Sequence, residues 1–538
     1  AARARAAFTR AAAAAGRAST MRHAAFARLA ELDVREGRLP SAEARLAEGE
    51  AALDAWRASL SDRELRLAAL ELAADGLDAD LGIATVIGAL AAGGRTEAAF
   101  GFAERRRARE LAARVAQRQV LRDGAASPRP GSIVGESVTL DALQAGVPAG
   151  TALLFYVTGR GFEPTTAFVV TRAAARAVRL APVDSLATTI RRLDELLAGG
   201  GDGATLAEAL GSALLAPLGL GAEVSALVIV PDGALHHVPW DALRVDGRPA
   251  AARWAITLSP SASLAAGAWQ GAAPARAGRV VAVGDPSLAD SLRTALSLAE
   301  LPAARREARA VSRFGVRRTV LLGRGATEAA VKAAAREDVS VLHLATHAEV
   351  DDGSSGRTLL ALGAGDGDDG VLRPEELAAL DLDGALVALS ACRTGRGRVL
   401  TGEGVDGLTG PALEAGAGAV LVTRWRVADG TMADLMRRWY GAMAQGATAG
   451  EALARVKRDA IAEGRPATAW ASLALVGDGR MRPALQVPSR GTATTVALLA
   501  AFVAVAGGLA AGYSARRSGR GGDASTRPSA KSARTDQT

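Results

Sequence analysis

The chain has one cysteine in 538 residues, Cys392, and three lysines, Lys332, Lys457 and Lys531. A single thiol excludes an intramolecular disulfide and fits a reducing compartment. Aromatic residues are scarce at 4%, so Leu, Val and Ala must fill the core. Arginine supplies nearly all the positive charge, and the Ala/Arg/Gly bias reads as the mark of a GC-rich, bacterial genome. The net charge of +7 is small for the length. No basic stripe with interleaved aromatics occurs, so no nucleic-acid partner is expected. The densest basic run, Arg105-Arg106-Arg107 with Arg109, sits between Glu104 and Glu110 and reads as a solvated helix face. Residues 1–20 are broken by Arg3, Arg5, Arg10 and Arg17, unlike a secretory signal.

The length predicts several domains. Residues 1–120 predict helices only, rich in Ala, Leu, Glu and Arg at helical spacing. Within them Gly37-Arg38-Leu39-Pro40-Ser41-Ala42-Glu43-Ala44 is similar to Gly94-Arg95-Thr96-Glu97-Ala98-Ala99. Each follows one helix and opens another, as tetratricopeptide-like (TPR-like) units require, although the spacing is not one repeat. Residues 121–150 have the Pro/Gly content of a linker. Strands and helices over 151–225 precede a stretch, 226–487, in which short apolar strands, Ala226–Val230 and Leu386–Leu389 among them, alternate with helices, one of them near 404–415. That pattern predicts a mostly parallel α/β sheet covered on both faces. Residues 491–515 carry no charge and are long enough to cross a bilayer once. A disordered basic tail, 516–538, follows. The thiol and the missing signal favour a C-terminal membrane anchor with the bulk of the chain in the cytoplasm.

Two runs end in reactive side chains. Val339 to Leu344 empties into Ala345-Thr346-His347-Ala348, and Leu386 to Leu389 into Ser390-Ala391-Cys392-Arg393-Thr394-Gly395. Carboxyl ends of parallel strands are where α/β sheets place active sites. A thiol beside an imidazole becomes the nucleophilic thiolate. The amides of Cys392 and Ala348 are candidates to face an oxyanion. His343 and His347 do not form a zinc pair, since four residues of strand span about 13 Å. No metal or cofactor is needed. Asp285 and Asp429 are candidates to line a pocket for a basic side chain; helix capping is the competing reading. His236 and His237 read as structural.

From about Pro231 to Asp478 the chain resembles the CHAT domain, a caspase-like module found with tetratricopeptide repeats and related to separase. Leu342-His343-Leu344-Ala345-Thr346-His347 matches the family's histidine segment, and Leu389-Ser390-Ala391-Cys392-Arg393-Thr394-Gly395 its cysteine segment. Also similar are Pro231-Asp232-Gly233, Pro239-Trp240-Asp241-Ala242-Leu243, Gly284-Asp285-Pro286, Gly402-Glu403-Gly404, Trp425-Arg426-Val427-Ala428-Asp429 and Trp470 to Asp478. The resemblance implies a caspase-type sheet and a peptidase with His347 as base and Cys392 as nucleophile. Two departures are Ala348, where the family usually has Gly, and Arg393, where an acidic or amide residue is common. The expectation is a membrane-anchored cysteine endopeptidase acting on a protein or peptide, regulated by a protein bound to the N-terminal helices. The alternatives are a catalytically silent interaction scaffold, or a thiol hydrolase or acyltransferase with the same dyad.

Overall fold

Two glycines set the helical start of the chain. The computed structural model describes residues 2–17, 19–60, 79–108, 111–116, 118, 137–159, 161–271, 278–350, 358–365, 367–391, 394–395, 397–400 and 404–488. Helices α1 (Ala2–Ala14), α2 (Thr20–Arg35), α3 (Leu39–Ala58), α4 (Ala79–Ala92) and α5 (Thr96–Glu104) come first. The two similar stretches form the same turn. Gly37 (φ 75°) ends α2 and Gly94 (φ 79°) ends α4, in the left-handed region that favours glycine. Arg38 N–H then reaches the Asp33 carbonyl at 2.8 Å, and Arg95 N–H the Leu90 carbonyl at 2.9 Å. The next helix starts at once in each case.

Helices α6 (Leu140–Gly146), α7 (Val183–Ala198) and α8 (Ala204–Leu214) frame the first strands. Those strands are β1 (Thr151–Val157), β2 (Thr165–Val170), β3 (Ala175–Leu180), β4 (Ala226–Val230) and β5 (Ala255–Leu258). Next come β6 (Arg279–Pro286), β7 (Arg317–Gly323) and β8 (Val341–Ala345). A small antiparallel sheet holds β9 (His347–Glu349), β10 (Leu359–Ala361) and β11 (Val371–Leu372). After β12 (Leu386–Leu389), β13 (Gly397–Leu400) and β14 (Gly404–Gly407) make a hairpin, and β15 (Ala419–Thr423) and β16 (Leu473–Gly477) close the set.

Eleven of these strands form one sheet, in the order β3-β2-β1-β4-β5-β16-β15-β12-β8-β6-β7. All its pairings are parallel except β3 with β2, β2 with β1, and β15 with β16. Helices cover both faces. Helix α9 is Ala262–Gln270, α10 is Pro302–Ser312 and α11 is Glu328–Ala334. Helix α12 spans Asp429–Ala444 and α13 Ala449–Ala462. Side chains alternate across the strands. Val280, Ala282, Val341, Leu386 and Ala388 pack with α10, α12 and α13. Val281, Val283, Leu342, Leu344, Val387 and Leu389 face the other layer, with Val331 of α11.

The N-terminal helices share a core with this sheet. Ala27, Leu46, Ile87, Leu90 and Phe100 lie in one buried cluster with Leu153, Phe155, Phe168 and Val228. Phe100 meets Phe155 at 5.5 Å and Phe168 at 5.7 Å between ring centroids. Such tilted and edge contacts add to the apolar burial. Residues 1–486 form one compact unit; of a second, 487–538, only 487 and 488 are described. The expected membrane helix at 491–515 and the tail at 516–538 therefore lie outside the described residues. Among the described residues, no helix is long and apolar enough to cross a membrane.

Two local expectations need correction. Residues 404–415 are not one helix: 404–407 form β14, and a short helix occupies Thr409–Glu414. The basic run after α5 is not a solvated face. Arg107 is buried, pairs with Asp232, donates to the Tyr156 carbonyl at 2.8 Å and lies over the Phe155 ring. Arg106 pairs with the buried Glu50 at 3.2 Å.

Candidate active site

Register brings the two reactive segments together. β8 and β12 pair in parallel with Leu344 opposite Leu389. His347 and Cys392 each come three residues beyond that pair. Cys392 and Arg393 lie outside the described residues, but the chain is held on either side of them. The Thr394 hydroxyl donates to the Leu389 carbonyl at 3.1 Å and accepts the Thr423 N–H at 2.9 Å. The Thr423 hydroxyl donates to the Ala391 carbonyl, and Gly395 N–H reaches the Thr423 carbonyl at 2.8 Å. Both threonines are buried, Thr394 fully. The end of β15 thus clamps the cysteine segment at both sides.

The histidine stands at a corner. Between β8 and β9 comes Thr346, whose buried hydroxyl donates to the Ala361 carbonyl. His347 then opens β9 opposite Ala361, with Ala348 opposite Leu360. The His347 ring is half-buried, and its Nε2 lies 2.7 Å from the Ala299 carbonyl. A carbonyl only accepts, so Nε2 must carry a proton, and in the neutral imidazole Nδ1 is then the unprotonated nitrogen. The tautomer follows from the hydrogen bond. Of the two candidate oxyanion amides, Ala348 lies in the β9 ladder and Cys392 outside the described residues.

His343 belongs elsewhere. Fully buried, it lies between Glu307 Oε1 at 2.9 Å and the Tyr440 hydroxyl at 3.2 Å, in the layer of α10 and α12. Burial and the Glu307 charge push the Tyr440 hydroxyl well above its ordinary range. The nearest thing to a metal centre among the described residues is Glu328, Asp368 and Glu376. The Lys332 ammonium already occupies it, at 2.6, 3.0 and 2.8 Å from the three.

Asp285 and Asp429 converge on one helix start. Asp285 has a left-handed backbone (φ 50°) at a register shift between β6 and β7. Its Oδ2 pairs with Arg305 at 2.9 Å and its Oδ1 accepts from Leu301 N–H at 3.4 Å. Asp429 Oδ2 accepts the Ala303 N–H at 2.7 Å. Each therefore serves α10: Asp285 rather than the short helix Asp290–Ala295 that follows it, and Asp429 rather than α12, which it opens. Gly284, beside Asp285, lets α10 approach: a Cβ there would meet the Ala304 carbonyl at 2.5 Å.

The remaining motif residues build the frame. Asp232 accepts from Thr158 N–H at 2.7 Å and pairs with Arg107. Burial opposes its charge, but the Arg107 guanidinium and Thr158 outweigh burial and hold the carboxyl at about 2. The 3₁₀ turn Gly233–His237 packs against the β13–β14 hairpin that follows the cysteine segment. Within it, burial holds the His236 imidazole down at about 3 against the pull of Asp232. Asp241 neutralises the buried Lys457 at 2.7 Å, and Trp425 Nε1 donates to the Thr468 carbonyl at 2.8 Å. Sequence reasoning gives Arg107 the wrong role and gives Lys457, Thr423 and Ala299 none. Their roles depend on chain positions tens to hundreds of residues away.

A mostly parallel α/β sheet with a histidine and the lone cysteine beyond two adjoining strand ends defines a candidate thiol–imidazole site. The CHAT domain family model matches residues 204–478, just over half of the chain, and the protein belongs to that family. No curated protein matches the sequence. Among solved structures, separase from Saccharomyces cerevisiae in complex with securin is similar with 10% identity and a TM-score of 0.42. That alignment covers 82% of this chain and 38% of separase, so the chain spans well under half of that protein. The Arg-specific cysteine proteinase gingipain R is similar with 10% identity and a TM-score of 0.33, over 49% of this chain and 65% of that one.

Proposed function

We propose that the chain is a cysteine endopeptidase with Cys392 as nucleophile and His347 as general base. The observation that carries this reading is the bond from His347 Nε2–H to the Ala299 carbonyl. It puts a proton on Nε2, so that in the neutral imidazole Nδ1 is the proton acceptor, just beyond the end of β8, the strand next to the one that leads to the thiol. In the reaction, Nδ1 takes the thiol proton as sulfur attacks the peptide carbonyl. The tetrahedral intermediate collapses to a thioester, and the same proton goes to the departing amine. Water, deprotonated by His347, then hydrolyses the thioester and restores the thiol. The amides of Ala348 and Cys392 are the oxyanion donors in this scheme. The uncharged stretch 491–515 anchors the protein in a membrane with the peptidase in the cytoplasm. A protein partner acts through the N-terminal helices, which share a core with the sheet.

The test is cleavage of a peptide library by the intact chain, by Cys392→Ala and by His347→Ala. Cleavage by the first alone supports the reading. Binding of a partner with no cleavage of any peptide by activated protein would leave a scaffold.

A further inference from the structure

We infer that Asp429 and Asp285 are positioning residues: they hold the first turn of α10 and thereby fix the Ala299 carbonyl on which His347 is oriented. The inference rests on His347 being the base of the proposed peptidase.

A helix start leaves backbone N–H groups without partners, and a side chain at the N-cap usually serves them. Helix α10 has no such side chain. Leu301 is its N-cap and Pro302 its first residue, and no side-chain cap is made from within. The service comes from outside. Asp285 at the end of β6 takes the Leu301 N–H, and Asp429 at the start of α12 takes the Ala303 N–H. Both carboxylates also complement the positive end of the helix dipole.

What precedes that turn is otherwise tied by the Leu298 N–H to the Arg293 carbonyl at 3.0 Å and by an exposed Arg293–Glu300 pair at 3.9 Å, neither of which holds the Ala299 carbonyl itself. Ala299 and Glu300 are exposed. Ala299 lies two residues before Leu301, and among the described residues its carbonyl is met by His347 alone. The body of α10 is fixed independently, by the buried Glu307 beside His343 at 2.9 Å and by close packing on Gly284. Removing the carboxylates would therefore loosen the first turn and the 299–301 segment while the helix stayed in place. His347 would lose the acceptor that selects its tautomer.

A pocket for a cationic side chain needs charge at these positions, whereas positioning needs only an oxygen that accepts an N–H. Asparagine separates the two. The measurement is ¹⁵N–¹H correlation of the histidine rings in the full chain, with His347 assigned by its loss in His347→Asn, together with the alkylation rate of Cys392. The wild type is expected to show the proton on Nε2. Asp429→Ala should convert His347 to a tautomer mixture and slow alkylation by about tenfold or more. Asp429→Asn should keep both near the wild type, and Asp285→Ala should repeat the loss in weaker form.

The idea is overturned if Asp429→Ala keeps the tautomer, or if Asp429→Asn behaves like Asp429→Ala, which would make charge the active property. Should Asp429→Ala fail to fold, Ala303→Pro removes the same N–H without touching the carboxylate. It must then reproduce the tautomer loss, and an unchanged His347 overturns the proposal. An inert Cys392 in every variant would count against the peptidase reading, while the ring spectra would still decide the positioning.

Discussion

His347 is oriented by a main-chain carbonyl, so the side chain at 299 is free to change while the backbone there is not. Ala299→Ser should leave the site as it is. The dyad itself predicts that Cys392 alkylation rises with an inflection well below about 8.5. His347→Ala should move that inflection back up, and an unchanged profile would argue for a silent thiol. With one cysteine in the chain, the label needs no assignment. A separate prediction concerns His236, held down at about 3 against an ordinary value near 6.5. Between those values the unfolded chain binds a proton that the folded chain refuses. Stability should thus fall as the pH drops from about 6.5 toward 3, with no such loss above. His236→Gln should flatten that slope in denaturant titrations at pH 7, 5 and 4; an equally steep slope would sink the assignment. At this scale the sequence was partly legible. His347 and Cys392 stood out because each ends an apolar run. The Ala299 carbonyl did not, because every residue carries one. Arg107 was read as solvated because its neighbours in the run are also arginines, and only the fold reveals Asp232 beside it.

The elements that position the thiol are short and unevenly legible. Strands β4 and β12 were readable to the residue, since their apolar runs stop at Pro231 and Ser390. β5 was missed because Ala255–Leu258 is brief and follows a tryptophan rather than a turn signal. The β14 strand is not legible as one, because its glycines and Val405 carry no clear period. The Thr394–Thr423 clamp gives an element-level prediction. Thr423→Val removes the donor to the Ala391 carbonyl and leaves that carbonyl unserved, at about 1–3 kcal/mol, while the Thr394 hydroxyl keeps its two backbone partners. It should change the alkylation rate of Cys392 more than it lowers stability elsewhere, and Thr423→Ser should restore it. Equal rates in all three proteins would remove the clamp from the site. Gly284→Ala forces a Cβ to within 2.5 Å of the Ala304 carbonyl. The expected cost of about 1–3 kcal/mol would show as a lower unfolding midpoint.

Across the whole unit, the N-terminal helices are a wall of the sheet. Sequence made them look separable, because a helical stretch before a Pro/Gly-rich one resembles a domain and a linker. Composition does not show which face of β1 and β2 needs a cover. Removing residues 1–108 would uncover Leu153, Phe155, Phe168 and Val228. Such a truncated chain should aggregate or lose cooperative unfolding, read by soluble yield and near-ultraviolet circular dichroism. A soluble, folded fragment with normal thiol reactivity would contradict the shared core. Within that core, Ile87→Ala should cost about 2–5 kcal/mol and lower the single midpoint of the whole unit.

The position of β16 has a consequence for the order of synthesis. Residues 473–477 are among the last described, yet they lie in the middle of the sheet, between β5 and β15. Everything on one side of that strand is translated before residue 260, and everything on the other between about 279 and 423. A chain emerging from the ribosome can assemble each flank, but the flanks have no continuous sheet until the final strand arrives to join them. Long-range pairing of this kind is slow and comes late. A nascent chain stalled short of residue 473 would carry both the histidine and the thiol without the seam that unites their sheet. The architecture delays the completed site until nearly all of this unit has been made.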